Sequence, residues 1–136
     1  MKLEVVVEAS GLPLGLQVAA ADVSEQDLLM PALDDVPVEV PPGTPVVADK
    51  GHDSDPLRDE LEDADYTPVI PHRANRVKPS RNDGRRLRRY RHRWRMERTN
   101  AWLHCYRGLA VRWAYYSFRY VGLVYLGLIH LALQRF

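Results

Sequence analysis

A mixed α/β fold, with a mixed sheet flanked by helices, is what this 136-residue sequence predicts. Three observations point to it. Residues 2–8 alternate apolar and polar side chains as a half-buried strand does, a short apolar run ends in an acid at Asp49, and residues 85–106 contain neither proline nor glycine. Strands interleaved with helical stretches pack as layers of helix on sheet. The length and the 46% apolar, 27% charged composition suit one modest globular domain.

Leu3, Val5 and Val7 share one face of the first strand, and Lys2, Glu4 and Glu8 the other. Gly11 and Pro13 mark a turn into a second strand over "LGLQVAAA", completing a hairpin. Ser24 is placed to cap a helix over "EQDLLMPAL", with Pro31 expected to cut or kink it. The proline-rich "VPVEVPPGTP" reads as a loop. "VVAD" reads as a buried strand delivering Asp49 at its carboxyl end. "GHDSDPLRDELEDA" then carries helix-start marks: Asp53, Ser54 or Asp55 as cap, and Pro56 in the first turn. "DYTPVIP" is a fourth strand and "HRANRVKPSRNDG" a basic loop. One long helix is expected over residues 85–106, stopped by Gly108. The last helix, over residues 117–134, is apolar nearly all round and is expected to be buried against the sheet. Four strands with helical crossovers form one sheet on this reading, and the opening hairpin lies at its edge unless a further strand pairs with it.

The net charge of +1 conceals a division. Residues 1–65 hold sixteen acids and three bases, and residues 66–136 hold sixteen bases and two acids. An acidic part able to hold cations and a basic part able to meet a polyanion would produce this, and so would two halves that attract each other. The single cysteine, Cys105, excludes an internal disulfide and a Cys-rich zinc site, and it reads as a small buried hydrophobe in a reducing compartment. The five histidines show no zinc-ligand spacing. Glu4 and Glu8 interrupt any signal-peptide segment, and the apolar tail is shorter than the roughly 20 residues that span a bilayer. The expected localisation is cytoplasmic, without membrane contact. Trp94, Trp102 and Trp113 are expected in the core or in helix packing.

Nine arginines lie within residues 81–98, with Asp83 and Glu97 as the only acids among them. On an α-helix, Tyr90, Arg93, Glu97 and His104 fall within an arc of roughly 60°. Arg93 and Glu97 could be an ordinary i,i+4 ion pair on a solvated face, worth about 0.2–0.5 kcal/mol. The spacing Tyr90, two residues, Arg93, three residues, Glu97, six residues, His104 also resembles the Y-(2)-R-(3)-E-(6)-K signature of bacterial insertion-sequence transposases with a DDE triad. His104 stands where that family usually has lysine. Upstream, "VVADKGHDSDPLRDEL" followed by "YTPVIPHRANR" resembles the family's second-aspartate region, with His52 in place of the usual tyrosine. "KLEVVVEASGLPLGLQVAAADVSEQDLLMPAL" resembles its hairpin segment, with Glu8 where aspartate is usual.

This resemblance covers nearly the whole chain. It implies that residues 1–136 are the C-terminal portion of a DDE transposase catalytic domain with an incomplete ribonuclease-H-like fold. Asp49 would be the second catalytic acid and Glu97 the third, both holding metal. Tyr90, Arg93, His104, Arg86 and Arg89 would face DNA. Hard carboxylate oxygens suit Mg²⁺ or Mn²⁺, and two such ions assist phosphodiester cleavage, so a two-metal site is expected only in the completed domain. The family's first aspartate belongs to a strand preceding the hairpin, and that strand is missing here. Glu4 or Glu8 would have to substitute for it, although both fall on the wrong strand by this resemblance. The implied partners are transposon-end DNA, with an upstream transposase half or further copies of the chain. A non-catalytic reading competes: arginines interleaved with Tyr90, Trp94 and Trp102 suit a DNA-binding or transposase-partner protein.

Overall fold

The computed structural model describes residues 1–82 and 84–134; Asp83 lies outside the described residues. The chain runs β1 (Lys2–Val7), β2 (Pro13–Ala19), α1 (Gln26–Asp34), β3 (Thr44–Val47), a 3-10 turn (Lys50–His52), α2 (Asp55–Asp63) and β4 (Tyr66–Val69). It continues with α3 (Gly84–Leu87), a 3-10 helix (Arg88–Arg93), α4 (Trp94–His104), α5 (Arg107–Ala110) and α6 (Ser117–Leu133). This is a mixed α/β arrangement of small sheets flanked by helices. Among the described residues, no helix is long and apolar enough to cross a membrane.

The hairpin pairs antiparallel with Leu3 opposite Val18 and Val5 opposite Leu16. The face carrying Leu3, Val5, Leu16 and Val18 meets Leu103, Leu109, Tyr120, Val124, Leu128 and Leu131 in a first core. The other face is also covered: Val6 packs with Leu29 and Leu33 of α1, Ala48, Leu57 and Leu61 of α2, and Ile70 in a second core. Pro31 neither cuts nor ends α1, which runs through it to Asp34.

The expected single four-stranded sheet is not formed. β1 pairs with β2, and β3 pairs with β4 in parallel, as two separate two-stranded sheets. β3 and β4 are four residues each, and each holds a proline, Pro45 and Pro68. A proline withholds a backbone donor and suits an edge strand rather than a central one.

The expected long helix is also divided. The backbone tightens to a 3-10 helix at Arg88–Arg93 and returns to α-helix at Trp94. Arg85, Arg86, Arg88, Arg89 and Arg91 crowd this stretch, and like charges three or four residues apart destabilise an α-helix. The α-helix ends at His104, and Gly108 lies inside α5 rather than stopping it. α6 buries only one side; Phe118, Leu126, Ile129 and Leu133 on its opposite face are exposed, contrary to the expected burial all round. Cys105 is exposed too, and so are Trp94 and Trp113.

Candidate functional site

Asp49 lies two residues past the end of β3, where its carboxylate caps the 3-10 turn by accepting the backbone N–H of Gly51. Gly51 lets two carboxylates close in on the turn. A Cβ there would lie 2.9 Å from Asp49 Oδ1 and 2.7 Å from Glu25 Oε2, inside van der Waals contact. The cap therefore fixes one Asp49 oxygen and leaves Oδ2 facing the 3-10 helix.

The tightened backbone decides what meets it there. At three residues per turn, residues i and i+3 eclipse. Leu87, Tyr90 and Arg93 thus form a half-buried ridge while Arg88, Arg89 and Arg91 are exposed. Arg93 donates from Nη1 to the Tyr90 hydroxyl at 2.6 Å, with its guanidinium carbon 5.7 Å from the ring centroid. Its Nη2 lies 2.9 Å from Glu97 Oε1 and 3.7 Å from Asp49 Oδ2. One guanidinium joins the two carboxylates, and the pKa of Arg93 is raised, first by the bond to Tyr90 and then by the charges of Glu97 and Asp49.

Four of the sequence-predicted site residues, Asp49, Tyr90, Arg93 and Glu97, are therefore gathered in one place. His104 is not; it lies exposed at the last position of α4. Arg86 and Arg89 are exposed on α3 and the 3-10 helix. Glu8 is engaged in the hairpin turn with Ser10 and the Leu12 N–H, and Glu4 sits 3.3 Å from the buried His52. Burial opposes a charge on His52, but the Glu4 carboxylate, with Asp49 and Glu25, holds its pKa above the ordinary value.

The donors at Asp49 and Glu97 are the hard oxygens a divalent ion takes. Their number is short: among the described residues, no group of three or more His, Cys, Asp or Glu side chains is placed to hold a metal.

Two arrangements escape sequence reasoning. Asp53 is not a helix cap but a fully buried hub, within 2.9 Å of Arg58, 2.8 Å of Arg76 and 3.5 Å of His72, and it accepts the Arg73 N–H at 2.9 Å. Asp55 pairs with Arg76, Lys78 and Arg81 instead of capping. These bonds tie the basic loop to the start of α2, and the division of charge along the sequence was the available signal. The second arrangement is a clamp on the hairpin turn. Arg95, Arg98 and Thr99 donate to the carbonyls of Ala9, Ser10 and Gly11 respectively. Gly11 has a φ of 90°, the left-handed region open to glycine. Two members of the arginine run are thereby committed to the fold.

The chain matches the family model for the transposase DDE domain over residues 1–131. It is 36% identical over 118 residues, 82% of this chain and 52% of the relative, to a Burkholderia cepacia protein named as a transposase for insertion sequence element IS402. The chain thus spans about half the length of that relative. No solved structure matches it.

Proposed function

Because the chain belongs to the DDE transposase family of insertion sequences, we propose that residues 1–136 form the C-terminal portion of a catalytic domain for DNA transposition. Asp49 and Glu97 serve as its second and third acids. A further strand, bearing the first aspartate, completes a ribonuclease-H-like sheet and supplies the carboxylate the pair lacks. The two-stranded sheets support this reading, since β1 and β3 each have a single partner strand among the described residues. Alone, the chain is inactive on this proposal, because two carboxylates are too few for a two-ion centre.

The observation that carries the reading is the convergence of Asp49, from the end of β3, and Glu97, from α4, on the single guanidinium of Arg93. In the completed domain Asp49 and Glu97 would hold Mg²⁺ or Mn²⁺, which supply activation of the attacking oxygen and stabilisation of the leaving one. Arg93, oriented by Tyr90, would hold a phosphate of the transposon end beside the two acids; a guanidinium suits phosphate because it donates in a planar fork. Arg86 and Arg89 are exposed along the same segment and would take flanking phosphates. A second reading has its own support. The exposed Arg86, Arg88, Arg89 and Arg91 do not depend on the carboxylates, so a DNA-binding or transposase-partner role without catalysis would use them alone.

Nicking and joining of labelled transposon-end DNA in Mn²⁺ tests the choice, with the chain alone, the chain plus the upstream half, and each with Glu97→Gln. Activity in the completed sample that disappears with Glu97→Gln is the expected result. DNA binding without strand cleavage in every sample would replace the catalytic reading with the binding one.

A further inference from the structure

The turn that carries Asp49 is gripped by Arg73, from the basic loop after β4. The Arg73 guanidinium donates from Nε to the Lys50 carbonyl at 2.7 Å and from Nη2 to the Gly51 carbonyl at 2.7 Å. A planar fork meeting two neighbouring acceptors is what a guanidinium supplies and an ammonium does not. The Gly51 carbonyl takes a second donor, the Gln26 side-chain amide of α1, at 3.0 Å. Arg73 is itself held in place, since its backbone N–H donates to the buried Asp53 carboxylate at 2.9 Å.

Each of those carbonyls belongs to a peptide plane whose other edge binds Asp49. The peptide unit is rigid, so orienting its C=O orients its N–H. The Lys50 carbonyl shares a plane with the Gly51 N–H, which donates to Asp49 Oδ1. The Gly51 carbonyl shares a plane with the His52 N–H, which donates to the Asp49 backbone carbonyl at 3.0 Å. One side chain therefore sets both planes, and through them both the side chain and the main chain of Asp49. Gly51 sits between the planes, and a residue with no Cβ offers little resistance to their rotation. A donor on each carbonyl also polarises the peptide and strengthens the N–H bond on its far edge.

We propose that Arg73 is a positioning residue for strand cleavage. It acts through the turn and touches none of the reacting atoms: by fixing the cap on Oδ1 it aims Asp49 Oδ2 at the place where Arg93 and Glu97 meet. The inference rests on the reading of Asp49 as a catalytic acid. It gives Arg73 a task distinct from that of the exposed Arg86, Arg88, Arg89 and Arg91, because Nε and Nη2 of Arg73 are turned to backbone carbonyls and not toward a polyanion.

Two readouts of Arg73→Lys test it, since lysine keeps the charge and loses the fork. The first is amide hydrogen exchange of the 136-residue chain, followed by NMR. Exchange at Gly51 and His52 is expected to quicken about tenfold, with the amides in the middle of α2 and the far-UV circular dichroism unchanged. The second is single-turnover cleavage of transposon-end DNA in Mn²⁺ by the chain plus the upstream half. A misplaced carboxylate is expected to slow the saturated rate about a hundredfold, with the half-saturating protein concentration and its salt dependence unchanged. If Arg73→Lys does not fold, Gln26→Leu decides: loss of one donor from the Gly51 carbonyl is expected to quicken His52 exchange about two- to threefold, and no change there overturns the proposal. Unchanged exchange at Gly51 and His52 in Arg73→Lys overturns the positioning role whatever the cleavage assay gives, and quickened exchange with an unchanged cleavage rate overturns it as well. A rate loss matched by weaker DNA binding at a shallower salt slope makes Arg73 a phosphate contact and overturns it too. Quickened exchange beside an unsubstituted completed sample that cleaves nothing instead removes the catalytic reading of Asp49, and the reaction role of Arg73 with it.

Discussion

The Asp53 carboxylate is fully buried and depends on its partners for every interaction water would have given it. Burial pushes its pKa up, but the Arg73 N–H and the Arg58 and Arg76 guanidiniums outweigh burial and hold it below the ordinary value. A depressed carboxylate contributes stability that is present above the unfolded value, near 3.9, and is lost as the pH falls through the lower folded value. Asp53→Asn leaves the buried Arg58 without its counter-charge and is expected to cost about 3–5 kcal/mol at neutral pH. Urea denaturation at a series of pH values checks this: the gap to the unsubstituted chain narrows below about pH 4. Sequence alone placed Asp53 at a helix start, because its spacing from Pro56 fits a cap. What it lacked was the return of Arg73 and Arg76, twenty or more residues later, to the same spot.

At the scale of elements, the segment from α3 to α4 sorts one run of arginines into distinct tasks. The 3-10 helix directs Arg93 inward to the two acids and leaves Arg88, Arg89 and Arg91 exposed. Farther along, Arg95, Arg98 and the buried Thr99 hold the hairpin carbonyls. Substitutions separate these roles. Removing Arg86, Arg88, Arg89 or Arg91 is expected to reduce the salt slope of DNA binding by about one each while leaving stability unchanged. Thr99→Val leaves the Gly11 carbonyl unpaired and is expected to lose about 1–2 kcal/mol of stability with the salt slope intact. Filter binding from low to moderate salt, paired with thermal melts, reads both. The order of elements was legible from hydrophobic period and turn residues. The 3-10 break was not, since a proline-free, glycine-free run reads as α-helix and charge repulsion depends on where each side chain points.

At the scale of the molecule, the hairpin is shared between two cores, Val5 lying in one and Val6 against the other. That sharing predicts cooperative unfolding. Leu61, fully buried in the second core, lies apart from the tryptophans, which are all in residues 94–113. Leu61→Ala is expected to cost about 2–5 kcal/mol and to move the tryptophan-fluorescence and circular-dichroism transitions together. Separate midpoints would mean that the cores fold independently. The charge division acts at this scale too: Arg76, Lys78, Arg81 and Arg93 pair with Asp53, Asp55, Asp59, Glu62 and Asp49 across the boundary between acidic and basic halves.

The sequence by itself determined the hairpin, the Asp49 strand end, the helix after it, the i,i+4 spacing of Arg93 and Glu97, and the likeness to DDE transposases. These are matters of local period, turn chemistry and motif spacing, written in neighbouring residues. Only the tertiary structure decided that Asp49 reaches Arg93, that Asp53 is a buried hub, that the strands divide into two sheets, and that one face of α6 remains uncovered. Each of those depends on residues distant in the chain competing for the same space and the same counter-charge, and no local pattern records which of them wins.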